Sequence, residues 1–240
     1  MWANNVLEIK NLFAGYGKSK VLFGINIVVP AKKITVIVGP NGAGKTTLLN
    51  SIVGLATIHS GEIIYMGENI VGIPTHIIAK IGISFAPQTQ NIFPNLSVRE
   101  NLVIAGYLLS KTQRQEKMKE IFKLFPVLKN FIDRKSGTLS GGERRMLAIA
   151  NALMRSPKLL LLDEITTDLA PIIAKKVLNK LVELKDKLGI TILMVEQTAR
   201  RALEIADKAY ILVSGEIKFE GKGDELLHHT EFTKKFLGIV

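Results

Sequence analysis

Apolar and polar positions alternate in distinct ways along this chain, and the changes mark out its elements. Residues 6–17 and 21–30 are apolar-rich stretches separated by a Gly-containing turn, which predicts two short strands. Residues 34–39, ITVIVG, form an unbroken apolar run, the pattern of a parallel strand covered on both faces. From 46 to 55 the apolar residues recur at helical spacing, and 81–86 reads as another strand. A Lys-, Glu- and Leu-rich stretch over 98–131 predicts helix, with Ser97 as N-cap, Glu100 three residues on, and Pro126 as an interruption. Beyond it come a helix at 143–154, a strand at 159–162, a helix ending near 188, a strand at 190–196, a helix at 199–206 and a hairpin over 209–221. Strands alternating with helices predict an α/β fold, a parallel-sheet core with an N-terminal antiparallel β region and a helical insertion. The chain reads as one domain: a core with the β region over 1–90 and 159–225, a helical part over 91–158, and a helix or tail over 226–240.

Composition narrows the picture only slightly. At 240 residues and 47% hydrophobic content the chain can bury a substantial core. No apolar run approaches the roughly 18–20 residues of a membrane span, and the N-terminus lacks a secretory layout, so a cytosolic chain is expected. With no Cys, disulfides and thiolate metal sites are excluded. The net charge is +11, and residues 100–158 hold 12 Lys and Arg against 5 Asp and Glu. No basic run exceeds two residues, so the excess reads as a solvated face rather than a nucleic-acid footprint.

The chemistry lies in short words. Gly39-Pro40-Asn41-Gly42-Ala43-Gly44-Lys45-Thr46-Thr47 matches G-x-x-x-x-G-K-[ST] between a predicted strand and a predicted helix, the setting a phosphate loop requires. Its glycines let backbone N–H groups face an anion, Lys45 can reach the β- and γ-phosphates, and the Thr46 hydroxyl can ligate Mg²⁺. The strand 159–162 ends in Asp163 and Glu164, at the sheet edge where ligands bind in such folds. Asp163 can hold Mg²⁺ and Glu164 can take a proton from an attacking water. Leu139-Ser140-Gly141-Gly142-Glu143 opens a helix, reading either as a plain capping box or as a second phosphate-binding turn.

The phosphate loop, Pro87-Gln88, the LSGGE word and LLLLDE, in that order, resemble the ATP-binding-cassette (ABC) family over nearly the whole chain. The resemblance implies a P-loop NTPase (RecA-like) core, an ATPase activity, and ATP with Mg²⁺ as ligands. It places Tyr16 under adenine and Gln88 at a hinge, in reach of Mg²⁺ or the water. It places Leu139, Ser140, Gly141, Gly142 and Glu143 on the nucleotide of a second chain, in a head-to-tail pair of identical or paralogous subunits. Three positions depart from the family pattern: Gln197 stands where a switch His is usual, Ile165 follows the catalytic Glu in place of Pro, and Asp168 replaces a small D-loop residue. Gln197 can donate to a γ-phosphate but cannot carry a proton at neutral pH.

Within the family, VEQ, LAP at 169–171 and IFPNLSVRENL are similar to the shorter ATPase subunit of branched-chain amino acid importers, whereas PQ is also frequent in urea and short-amide relatives. That branch implies membrane permease subunits, an extracytoplasmic substrate-binding protein acting indirectly, no nucleic acid, and a peripheral place on the cytoplasmic face of the membrane. A permease helix is expected near Ile92, Phe93 and Pro94. An exporter remains open, because the cassette chemistry is the same in both directions. A soluble ABC ATPase usually carries two cassettes or a long coiled coil, whereas this chain has one phosphate loop and no sustained heptads.

Overall fold

The computed structural model describes residues 5–89 and 92–228. Two sheets stack in it. Strands β1 (Asn5–Tyr16), β2 (Ser19–Pro30), β4 (Thr57–Tyr65) and β5 (Glu68–Asn69) form an antiparallel sheet in the order β2-β1-β4-β5. Strands β3 (Ile34–Val38), β6 (Ile83–Ala86), β7 (Leu159–Asp163), β8 (Thr191–Glu196), β9 (Lys208–Val213) and β10 (Glu216–Gly221) form the second, in the order β10-β9-β3-β8-β7-β6. That sheet is parallel except for the terminal β9–β10 hairpin.

Period-two geometry divides the core in two. On β7, Leu160 and Leu162 face one apolar cluster with Val36, Leu102, Phe125, Leu153 and Leu184. Leu159 and Leu161 face the other, with Leu7, Ile25, Ile37, Leu48 and Leu193. All five residues of β3, all five of β7 and all six of β8 are buried, which is why those strands read as continuous apolar runs. The second cluster packs the antiparallel sheet and helix α1 (Lys45–Ile52) against the parallel sheet. Tyr210 ties the sheets further: its hydroxyl accepts from the Val28 N–H at 2.8 Å and donates to the Val28 carbonyl at 3.1 Å. Truncating one of the fully buried leucines here would cost about 2–5 kcal/mol.

The helical insertion contains α3 (Val98–Ala105), α4 (Lys111–Leu124), α5 (Pro126–Asn130) and α6 (Gly141–Leu153). Reciprocal capping boxes start three of them: Ser97 with Glu100, Ser110 with Gln113, and Ser140 with Glu143. The first break in the helical stretch falls at Gly106, ahead of Pro126, and Pro126 itself opens α5 at its first turn. Buried Asn101 stitches the entry to the insertion, donating to the Phe93, Leu96 and Ser97 carbonyls while accepting from the Phe93 N–H. The remaining helices are α2 (Thr75–Lys80), α7 (Pro171–Leu188), α8 (Ala199–Glu204) and α9 (Gly223–His228). The expected C-terminal helix is thus present up to His228, and the rest of 226–240 lies outside the described residues. Among the described residues no helix is long and apolar enough to cross a membrane.

Candidate nucleotide site

The phosphate loop runs from the end of β3 into α1, as its sequence setting demands. Gly44 is the N-cap of α1 at φ 103°, where an added Cβ would lie 2.7 Å from Leu22 Cδ2. A Cβ on Gly39 would lie 2.1 Å from the Leu212 carbonyl oxygen, so the loop is pinned against β9. The helix has no side-chain cap and no acidic residue in its first turn. Its first N–H groups and dipole are therefore left for an anion.

Lys45 is only 4% exposed and sits at the centre of the cleft. Its ammonium donates to the carbonyls of Gly39 at 2.9 Å and Pro40 at 3.0 Å and pairs with Glu164 Oε1 at 3.1 Å. Thr46 Oγ1 donates to Asp163 Oδ1 at 3.2 Å. Gln88 Nε2 donates to Glu164 Oε2 at 3.0 Å. Glu164 itself is buried, lies at φ 44°, and donates its N–H to the Val195 carbonyl at 3.0 Å. Burial pushes the Asp163 carboxyl above the ordinary Asp value, with the Thr46 hydrogen bond opposing it. The cleft has a volume of about 620 Å³, and Asn41, Gly42, Thr47, Thr167, Asp168 and Gln197 also line it.

The residues fit a Mg²⁺–nucleotide. The hydroxyl of Thr46 and carboxylate of Asp163 are adjacent hard oxygen donors, and the loop backbone is held where only glycine fits. Tyr16 is 47% exposed, and its hydroxyl accepts from Asn50 Nδ2 at 2.9 Å, so one ring is fixed at the surface of the core near α1. Ala43 is buried in the second core cluster, and Pro40 borders the loop through its carbonyl.

The LSGGE word lies elsewhere: none of Leu139, Ser140, Gly141, Gly142 and Glu143 lines this cleft. Leu139 is core, whereas Ser140 is exposed and occupied only by its own capping box. A Cβ on Gly142 would lie 2.4 Å from Ile173 Cγ2 of α7, so packing within the chain already demands that glycine. Asp168 adopts φ 64°, which accounts for the small residue expected at this position. Ile165 is buried in the first core cluster, an apolar substitute for the usual ring.

Two charged residues escaped the sequence reading. Arg145 donates from Nη1 to the Gln88 carbonyl at 2.6 Å. Glu196 is fully buried at the end of β8 and accepts from the Thr166 N–H at 2.9 Å through Oε1. Burial pushes its carboxyl up to about 7. Their only sequence signal was proximity, Arg145 two residues after Glu143 and Glu196 next to Gln197. A groove of about 370 Å³ between core and insertion is lined by Val53, Leu55, Ile78, Phe85, Ala105 and Arg155 among others, and by none of Ile92, Phe93 and Pro94. Phe93 is exposed, and Asn101 accepts from its N–H at 2.8 Å and donates to its carbonyl at 3.1 Å.

The comparisons agree with this architecture. The family model described as ABC transporter matches residues 22–167. The probable branched-chain amino acid transport ATP-binding protein LivF of Archaeoglobus fulgidus is 47% identical over 235 residues, 98% of this chain and 100% of that protein. The high-affinity branched-chain amino acid transport ATP-binding protein BraG of Pseudomonas aeruginosa is 40% identical, over 97% of this chain and 100% of its own length. A solved dimeric ATP-binding cassette in a post-hydrolysis state with ADP and Pi superposes with a TM-score of 0.79 at 27% identity, over 90% of this chain and 98% of that one. A nucleotide cleft built from the phosphate loop and the β7 carboxylates, on this two-sheet core, together with full-length similarity to such subunits, places the chain in the ABC transporter ATP-binding family, as an ATPase.

Proposed function

We propose that this chain is the ATPase subunit that energises a membrane importer for branched-chain amino acids, working at the cytoplasmic face in a head-to-tail pair. The observation that carries the catalytic half is the convergence of Lys45, Thr46, Gln88 and Glu164 in one cleft, with buried Asp163 hydrogen-bonded to Thr46. The identities of 47% and 40% to two branched-chain amino acid transport ATP-binding proteins, end to end, support the cargo.

On this reading the loop 39–47 and Lys45 bind the phosphates of ATP, and the Tyr16 ring lies against adenine. Thr46 and Asp163 would hold Mg²⁺, with Gln88 in reach of it, and the ion would supply neutralisation of phosphate charge. Glu164 accepts a proton from water as the water oxygen bonds to the γ-phosphorus and the bond to the β-phosphate oxygen breaks. Entry of phosphate displaces Glu164 from Lys45 and exchanges one anion for another at the ammonium. Gln197 donates its amide N–H to the γ-phosphate. Ser140, Gly141 and Gly142 meet the nucleotide held by the partner's phosphate loop, with Leu139 and Glu143 fixing the turn. The two lobes, 1–90 with 159–225 and 91–158, then move about the Gln88 joint. The groove at Leu55 and Phe85 takes a permease helix, and a substrate-binding protein outside the membrane delivers cargo to that permease.

The experiment is uptake of labelled leucine, isoleucine and valine in cells lacking this chain. Restoration by the wild type and not by Glu164→Gln supports the reading. Unchanged uptake in the deletion strain, or loss of urea uptake instead, overturns the cargo.

A further inference from the structure

The nucleotide cleft and the LSGGE helix share no lining residue, yet one side chain bridges them. Lys45 pairs with Glu164, Glu164 accepts from Gln88, and the carbonyl of Gln88 accepts from Arg145 at 2.6 Å. Arg145 stands on α6, two residues beyond Glu143 of the capping box. Its neighbour Arg144 donates to the Leu139 carbonyl at 2.6 Å, which fixes the first turn of α6 to the start of the word. Arg145 is half-buried. Its guanidinium grips the Gln88 loop through one short charge-assisted hydrogen bond to the Gln88 carbonyl.

We propose that Arg145 is a positioning residue for hydrolysis: it ties the Gln88 loop to α6, so that the LSGGE turn follows the state of the chain's own base site. Any movement of Gln88 toward a nucleotide pulls on the carbonyl that Arg145 grips. The helix presenting Ser140 is then reset in the same motion. The cross-chain part of this inference rests on the paired reading above.

The test compares Arg145→Met, Arg145→Lys and Arg145→Gln in the full chain, each alone and with Glu164→Gln. Three quantities are read: Kd for a fluorescent ATP analogue at protein concentrations where the chain is monomeric, kcat for ATP, and ATP-dependent dimerisation in the Glu164→Gln background. Loss of one charge-assisted hydrogen bond should lower kcat about tenfold or more in Arg145→Met while Kd stays within about twofold. Dimerisation should weaken in the double variant, and Arg145→Lys, which keeps a donor and the charge, should recover part of both. Unchanged kcat and dimerisation in a folded Arg145→Met overturns the proposal. A parallel loss of Tm, Kd and kcat that Lys does not recover also overturns it, because that is what mere structural support would give. If Arg145→Met does not fold, Arg145→Gln, which can still reach a carbonyl, is judged by the same criteria. Failure of Glu164→Gln alone to dimerise sinks the paired reading; the split between kcat and Kd still decides whether Arg145 positions the base site.

Discussion

The phosphate loop and the LSGGE turn are both Gly-rich helix N-termini, and the chain treats them in opposite ways. At the loop, α1 starts without a side-chain cap, and the surrounding groups converge from three strands: Lys45 after β3, Asp163 at the end of β7 with Glu164 next to it, and Gln197 after β8. At the LSGGE turn, Ser140 and Glu143 cap the helix reciprocally, and Ser140 faces outward without joining the cleft. A helix end with its N–H groups left open and cationic help beside it is built for an anion. A helix end closed by its own residues and exposed on one lobe is not a nucleotide site by itself. On the proposed reading it becomes one when a second chain supplies the nucleotide; a related cassette at 27% identity is solved as a dimer with ADP and Pi.

The sharpest way to break this contrast is at the loop. Glu164→Gln should lower kcat by about 10²–10⁴-fold with ATP affinity retained, measured by phosphate release and nucleotide titration. Ser140→Arg should also abolish turnover, but should leave nucleotide binding by the monomer unchanged, because Ser140 does not line the chain's own cleft. Equal losses of binding in both variants would erase the distinction between the two helix ends.

Glu196 sharpens the contrast from the buried side. Below about pH 4.5 its carboxyl is neutral in folded and unfolded chains alike. Between that value and about 7 the unfolded chain ionises while the folded chain stays neutral, so stability falls as pH rises, and above about 7 the loss is complete. A shift from 4.5 to about 7 corresponds to about 3 kcal/mol. Glu196→Gln should therefore gain stability over the wild type by up to that amount between pH 5 and 8, read by denaturant unfolding without nucleotide. A constant difference across that range would contradict the burial account. The smallest effects belong to the rim. Asp168→Gly removes a side chain from φ 64° and should raise stability by about 1 kcal/mol. Tyr16→Ala should weaken ATP binding about threefold to tenfold if the ring lies against adenine.

Elements whose burial follows a local period were legible in the sequence. The apolar runs of β3 and β7, the capping box at Ser97 and the phosphate loop each declare themselves within a few residues. The antiparallel partner β4 was not legible. Within it, only Ile63 and Tyr65 are buried, and its strand character comes from pairing with β1 far away in sequence. The break between α3 and α4 was encoded in Gly106 and the Ser110-x-x-Gln113 box, but the dense helical composition on either side masked it. Arg145 and Glu196 show the deeper limit. A charged residue in a sequence reads as a solvated face until the fold supplies its partner, here a carbonyl 57 residues away and an N–H 30 residues away.

On the proposed reading the chain holds one half-site of its own and a second half that needs another chain. Sedimentation of Glu164→Gln and of Glu164→Gln with Ser140→Arg, each with and without ATP, tests it most directly. The account predicts an ATP-dependent dimer for the first and a monomer for the second, with both binding nucleotide equally. A dimer that survives Ser140→Arg would contradict it.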